Sequence, residues 1–169
     1  WGTRVAVGRL AVATHPTRNP RLVLDSSVCG VNTAAAASIP EKTFNPSLAD
    51  LRSAHTLGHA QQTTLLSIDI KAAHKRIRVH EQDQGYLAFS YRTAGREYWY
   101  TYNVTHFGGT FSAWYWSRLG GALLRLLHRV LYCRHTAVLY VDDFLFLFDS
   151  PTALLQSAIV LATLHYLSV

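Results

Sequence analysis

The sequence contains no methionine and only two cysteines, and each shortage narrows the class of protein. Cys29 and Cys133 lack the spacing of a zinc site, so we expect two buried free thiols in a reducing compartment. The lack of methionine, with a start at Trp1, predicts a fragment of a longer protein. No secretory signal peptide is recognisable, which predicts an intracellular location, in the cytoplasm or nucleus, rather than secretion.

Long uninterrupted hydrophobic runs are also missing. The most apolar segment, 153–169, is short for a bilayer span and contains Gln156 and His165, so we predict a helix packed under a sheet and no membrane partner. About half of the 169 residues (49%) are nevertheless apolar, which is enough to bury the core of one compact domain or of two small lobes.

Basic charge is absent from the end of the chain. The formal net charge is +6, yet no lysine or arginine follows Arg134. Basic residues are spread over the first two-thirds: Arg18, Arg21, Lys75, Arg76, Arg78, Arg92 and Arg96. Basic domains commonly bind phosphate backbones, although solubility would also explain a modest excess. The acidic residues Asp142, Asp143 and Asp149, by contrast, dominate the end of the chain.

Two adjacent aspartates, Asp142 and Asp143, interrupt the apolar segment 136–148. Two strands joined by a tight turn would produce this pattern, with the carboxylates at the tip. Burying unpaired carboxylates costs several kcal/mol each, so such a site needs a counter-charge. Because no basic side chain follows Arg134, a bound Mg²⁺ is the natural one.

A third aspartate ends a β-prone segment earlier in the chain. Asp69 closes the predicted strand 63–70 and lies 73 residues before Asp142, so the two can meet only in the folded chain. Antiparallel pairing of these strands would gather three carboxylates, the ligand set of a two-metal phosphoryl-transfer site. The alternative is that each aspartate caps a turn or a short helix.

Four segments, in this order, resemble the motifs of reverse transcriptases. They are Arg21-Leu-Val-Leu-Asp25 followed by Asn32, Ser67-Ile-Asp-Ile-Lys-Ala-Ala-His74, Phe107-Gly-Gly-Thr-Phe-Ser-Ala113 and Tyr140-Val-Asp-Asp143. A Tyr-x-Asp-Asp segment alone is a weak indication, whereas the ordered set is a strong one and covers most of the chain. The resemblance implies an RNA-directed DNA polymerase of a retroelement, with a retrotransposon-like character.

The same resemblance implies the chemistry of the site. A deoxynucleoside triphosphate would be transferred to a primer 3′-hydroxyl on an RNA or DNA template, with two Mg²⁺ ions, or Mn²⁺ in their place. Asp69 and Asp142 would bridge the ions, Asp143 would be the adjacent ligand, and the carbonyl of Ile70 would add a backbone oxygen. The substrate-binding residues would be Arg21, Arg18, His74, Phe107, Gly108 and Tyr140.

Three residues depart from the family pattern. His74 stands where the family usually has a Tyr or Phe that excludes the ribose 2′-hydroxyl, which predicts weaker discrimination against ribonucleotides. His106 and Trp114 replace the prolines before and after the Phe-Gly segment. Three alternatives to an RNA-directed DNA polymerase stay open. They are an inactive or domesticated palm that only binds nucleic acid or a protein partner, a palm polymerase that copies RNA into RNA, and a small-molecule metalloenzyme.

The predicted fold class is α+β, a polymerase palm whose antiparallel sheet is covered by helices, with an added fingers subdomain. Fingers would be approximately 1–43 and 79–106, palm approximately 44–78 and 107–169, and a thumb would be absent. Asn45-Pro46 predicts the start of a helix that runs to about residue 60. Hairpins are predicted at 86–103 and 136–148, and helices at 111–130 and from about residue 151.

Overall fold

A computed structural model describes residues 4–58 and 62–169, with the backbone alone at positions 18, 55, 57 and 58. The chain forms two compact units. The first comprises the described residues up to Lys42 together with His74–Trp116, and the second comprises Thr43–Ala73 and Ser117–Val169. Residues 74–78 and 107–116, which the sequence assigned to the palm, therefore belong to the first unit. The assignment of fingers and palm stays a prediction.

The first unit contains two antiparallel hairpins and a short helix. Strands β1 (Arg9–His15) and β2 (Arg18–Asp25) form one hairpin, and helix α1 (Val31–Ser38) follows it. The sequence analysis did not predict this helix, which the alanines at 34–37 favour. The second hairpin pairs β4 (Ala88–Thr93) with β5 (Arg96–Thr101), and the amide of Gly8 donates to the carbonyl of Ala88 at 2.9 Å.

The second unit is a three-stranded antiparallel sheet with helices. Its strands are β3 (Thr63–Asp69), β6 (His135–Tyr140) and β7 (Asp143–Asp149), in the order β3-β7-β6, and its helices are α2 (Leu48–Gly58), α4 (Ala153–Tyr166) and most of α3 (Thr110–Val130). Alternate residues of β7, namely Phe144, Phe146 and Phe148, are fully buried and stack along one face. Helix α4 packs against β3 and β7. The predicted mixed fold with antiparallel sheets is confirmed.

The start of α2 differs from the prediction because a different residue caps it. The amide of Asp50 donates to the Ser47 hydroxyl at 3.3 Å, and the amide of Ser47 donates back to the Asp50 carboxylate at 2.7 Å. This reciprocal pair is a capping box, so the helix begins at Leu48 rather than at Asn45-Pro46. The hydroxyl of Ser47 also donates to the Asp50 carboxylate at 2.7 Å, and this bond, with the one from the Ser47 amide, lowers the pKa of Asp50. The predicted end near residue 60 lies outside the described residues.

Two smaller predictions concern the cysteines and the bilayer. Cys29 and Cys133 are both free, as predicted, but each is half-buried rather than buried. Among the described residues, no helix combines the length and the apolar character needed to cross a membrane.

Candidate active site

Strand register brings three aspartates of the second unit, Asp69, Asp142 and Asp143, close together along the backbone. Asp69, the last residue of β3, lies directly opposite Asp143, the first residue of β7. Asp142 precedes Asp143 in the turn, and its carbonyl accepts a hydrogen bond from the amide of Ile70 at 3.0 Å. Because directly opposed residues of an antiparallel pair share a face, Asp69 and Asp143 point to the same side of the sheet. This side is opposite to the buried phenylalanine face of β7.

The donor set suits a hard divalent cation. Two like charges directly opposite each other destabilise a strand pair, and a shared cation would turn that repulsion into attraction. Carboxylate and backbone carbonyl oxygens are the ligands of Mg²⁺ in proteins. In residues 4–58 and 62–169, however, no group of three or more His, Cys, Asp or Glu side chains is arranged to hold an ion. The backbone gathers these residues, and their side chains would have to rotate to share one ion.

The exposure of these carboxylates corrects one premise of the sequence analysis. Asp69 and Asp143 are exposed and Asp142 is half-buried, although apolar residues flank all three in sequence. Of the flanking residues, Ile70 and Phe144 are buried, whereas Val141 is exposed. The cost of burial therefore does not demand a counter-charge. A cation is favoured instead by the juxtaposition of like charges, and exposed side chains have the freedom to change rotamer.

The turn between β6 and β7 holds a strained residue. Tyr140 and Asp143 are paired, so the turn contains only Val141 and Asp142. Val141 has a φ of 56°, a conformation that is rare for a β-branched residue. Tyr140, predicted to lie near the primer end, is 55% exposed and shares the face of Asp143. The strained turn thus presents Tyr140 and Asp143 on one accessible surface.

In the first unit, three of the predicted substrate-binding residues form one contact series. The guanidinium carbon of Arg21 lies 5.9 Å from the centre of the Phe107 ring. The rings of Phe107 and His74 are 5.0 Å apart, and the hydroxyl of Thr105 donates to the carbonyl of His74. His74 is buried, with 7% of its surface exposed. Arg18 begins β2, but its side chain is not described, so its role stays a prediction.

Gly108 sits in a loop that only glycine can form without displacement. Its φ is 96°, and a Cβ built there would lie 2.6 Å from the carbonyl oxygen of Leu24. The amide group of Asn32 fixes the same loop, because it donates to the carbonyl of Gly108 at 2.7 Å and accepts from the amide of Thr110 at 2.9 Å. Asn32 was recognised as part of a motif, but its loop-positioning contacts were not predicted.

His106 performs a structural task at the position where reverse transcriptases usually have proline. Its Nδ1 donates to the carbonyl of Phe107 at 2.8 Å, so its Nε2 accepts from the hydroxyl of Ser26 at 3.2 Å. Its amide, which a proline lacks, donates to Ser112. Trp114, at the second departure, lies inside α3, where a proline would break the helix. Both departures are therefore built into the local fold.

The comparison with protein families agrees with the order of these motifs. A family model described as reverse transcriptase (RNA-dependent DNA polymerase) matches residues 21–165, which is most of the chain. The chain belongs to the reverse transcriptase family. No curated protein is significantly similar to it. Reverse transcriptases are RNA-directed DNA polymerases that generally use divalent metals and act on a nucleic-acid template, a primer and nucleotides. Membership of this family therefore implies an enzyme of the RNA-directed DNA polymerase kind.

Burial makes the stability of this reverse transcriptase domain sensitive to acid. Burial lowers the pKa of His106 below its usual 6.5, and partial desolvation, together with the charge of the neighbouring His135, lowers the pKa of His128 at its exposed position. As the pH falls, these histidines bind protons in the unfolded chain before they do so in the folded one. The stability that they contribute is therefore fully present above pH 6.5 and is lost as the pH falls below it. We expect the urea concentration at the midpoint of unfolding to be lower at about pH 5.5 than at about pH 7.5.

Matched substitutions assign this acid sensitivity. His106→Gln, and separately His128→Gln, should each reduce the pH dependence of the midpoint, even if they lower its absolute value. His165→Gln, at an exposed position of α4, is the matched control for the loss of one imidazole. An unaltered pH profile in His106→Gln would show that its imidazole is not held neutral by burial.

Proposed function

We propose that this chain carries the catalytic site of an RNA-directed DNA polymerase from a retroelement, acting inside the cell by two-metal nucleotidyl transfer. One observation carries the proposal. The pairing of Asp69 with Asp143, together with the hydrogen bond from the amide of Ile70 to the carbonyl of Asp142, supports it by bringing the backbones of three aspartates to one corner of a sheet. By the resemblance of their motifs they correspond to the catalytic aspartates of reverse transcriptases, and the matched residues 21–165 include all three.

The roles of the acidic residues follow from this placement. Asp69 and Asp142 would bridge two Mg²⁺ ions, or Mn²⁺ ions, while Asp143 and the carbonyl of Ile70 would complete the protein ligands. When bound, such ions lower the pKa of an attacking hydroxyl and neutralise the charge of a phosphate group. The role of the aspartates themselves would be to position the primer terminus next to the triphosphate. The exposed corner of the sheet leaves room for both.

The first unit offers the residues for nucleotide binding. Arg21 is exposed and its guanidinium can bind triphosphate oxygens with two parallel hydrogen bonds, while Phe107 supports it from one side. Gly108, which has no side chain, allows close approach of the backbone to a nucleotide. We propose that His74 and Arg18 also contact the bound nucleotide, and that Tyr140 lies near the primer end. As the sequence predicts, fingers would comprise approximately residues 1–43 and 79–106, and palm approximately residues 44–78 and 107–169.

Primer extension tests the proposed function. Incubated with a primed RNA or DNA template, deoxynucleotides and Mg²⁺, the protein should extend the primer, and chelation of the metal should stop extension. An inactive palm that only binds nucleic acid would retain the template without extending the primer. Its affinity for the template would also be unaffected by Asp142→Asn. Extension that continues without divalent metal would contradict the two-metal mechanism.

Sugar selection gives a further prediction. His74 contacts Phe107 and has a smaller, more polar ring than tyrosine, so it can accommodate a ribose 2′-hydroxyl. We expect His74→Tyr to raise the preference for deoxynucleotides over ribonucleotides by about tenfold or more, since a steric clash of about 1.4 kcal/mol suffices. Relative kcat/KM for the two sugar types measures it. Equally strong exclusion of ribonucleotides by both proteins would show that His74 does not set sugar selection.

A further inference from the structure

One face of the β4–β5 hairpin carries a continuous row of aromatic rings. Cross-strand pairing places Tyr91 opposite Tyr98, and Phe89 opposite Tyr100, all on the same face. Tyr91 is 53% exposed, Tyr98 41% and Tyr100 49%. We call these four residues the tyrosine face. Aromatic pairs across strands usually stabilise a sheet, but half-exposed tyrosines leave much of their contact surface unused.

Ring contacts extend the tyrosine face toward a lysine. Phe89 stacks on Tyr100 at 5.7 Å between ring centres and contacts Tyr102 at 5.4 Å. The amino group of Lys75 lies 6.0 Å from the centre of the Tyr102 ring. At the other end, Arg96 lies opposite Thr93, in the same alternating row as Tyr98 and Tyr100. The row of rings therefore has a cation near each end.

The opposite face of the hairpin has a different character. It carries Trp99, which is 55% exposed, and the pair Arg92–Glu97, whose charged groups are 3.8 Å apart. The arginine charge on this face is therefore offset by a carboxylate of its cross-strand partner. Within the hairpin, unoffset positive charge and a series of aromatic rings occur together only on the tyrosine face.

We propose that the tyrosine face binds an unpaired nucleic-acid strand. Bases stack on exposed aromatic rings whatever their sequence, and cations spaced along the row attract the phosphates. The inference rests on the proposed function in that the natural ligand would be the single-stranded part of a template. The proposed site is separate from the aspartates and does not need a divalent cation.

Fluorescence anisotropy of a labelled oligothymidylate, measured with a metal chelator present, tests the proposal. The double variant Tyr91→Leu/Tyr98→Leu should bind the strand at least about tenfold more weakly, because one lost base–aromatic stack accounts for roughly 5- to 100-fold. Tyr98→Phe keeps the ring and should bind as the parent does. Trp99→Leu removes an equally exposed aromatic residue from the other face of the same hairpin, and should leave the affinity unchanged.

Further measurements separate this proposal from its rivals. Arg96→Gln, which does not disturb the rings, should reduce the slope of log affinity against log salt by about one. Asp142→Asn should bind the oligonucleotide normally, so failure of the polymerase proposal would not affect this readout. Equal affinity for the parent and the double variant would overturn the proposal, as would equal losses in the double variant and Trp99→Leu. Unchanged affinity with altered sedimentation would instead assign the face to a second copy of the chain.

Discussion

Replacing Asp142 with asparagine will lower the rate of primer extension at least about a thousandfold, which corresponds to about 4 kcal/mol of transition-state stabilisation. The reason is that an amide has no negative charge with which to hold a shared divalent ion, whereas its size is nearly that of the carboxylate. The backbone hydrogen bond from Ile70 to position 142 uses a main-chain carbonyl and survives the change. Single-turnover extension with saturating template and nucleotide measures the effect.

Asp149→Asn is the matched control for this prediction. Asp149 lies on the same strand, β7, and on the same face as Asp143, because the two are separated by an even number of residues. It pairs with Thr63, at the end of β3 far from Asp69. Asp149→Asn should extend primers at a rate within about twofold to threefold of the parent, because position 149 lies at the other end of β7 from the candidate site and distant positions seldom couple. Comparable losses in both variants would indicate a general effect of acidic charge rather than a site.

Gly108→Ala will both destabilise the chain and reduce activity. A methyl group at this position meets the carbonyl oxygen of Leu24 at 2.6 Å, and backbone cannot move away cheaply. The positive φ of 96° adds strain, of about 1–3 kcal/mol. Because the loop must shift, Phe107 will be displaced from Arg21, and a shift of about 1 Å can cost about a hundredfold in rate. Urea unfolding and kcat/KM for the nucleotide measure the two effects.

Gly30→Ala distinguishes the two causes of the destabilisation expected in Gly108→Ala, which are backbone strain and the clash with the carbonyl of Leu24. Gly30 also has a positive φ, of 77°, but an added Cβ there has no neighbour within 4 Å. It should therefore show the conformational strain alone, with normal kcat/KM. Gly108→Ala should be less stable than Gly30→Ala by about 1–3 kcal/mol, the usual cost of overpacking. Equal destabilisation of the two variants would mean that the contact with Leu24 relaxes without cost.

The elements that the sequence predicted are those whose signals are local. The β-prone segment of β3, the continuous apolar segment of β7, and the turn residues Ala94 and Gly95 of the second hairpin indicated strands that the structure contains. The long helix α3 was also predicted within one residue of its bounds, despite two adjacent glycines. Helix α1 was missed because it is short and has no side-chain cap, so only its alanines marked it.

For the candidate site, the sequence located residues but not their surroundings. The motifs identified the three aspartates, and the register of β3 with β7 then brought Asp69 and Asp143 together. Exposure was mispredicted, since an apolar segment does not show which of its alternating residues reach solvent at the end of a strand. The contacts of Asn32 with Gly108, and of Ser26 with His106, join residues nearly eighty positions apart. Spacing within a motif carries no information about such contacts.

The most direct measurement is the binding of Mn²⁺, followed by electron paramagnetic resonance, with a terminated primer, template and deoxynucleotide present. The parent protein and Asp149→Asn should each bind two ions beyond those held by the nucleic acid and nucleotide alone, while Asp69→Asn should lose at least one of them. Identical Mn²⁺ binding by the parent and Asp69→Asn would contradict the account, because the residue opposite Asp143 would then play no part in holding the metal.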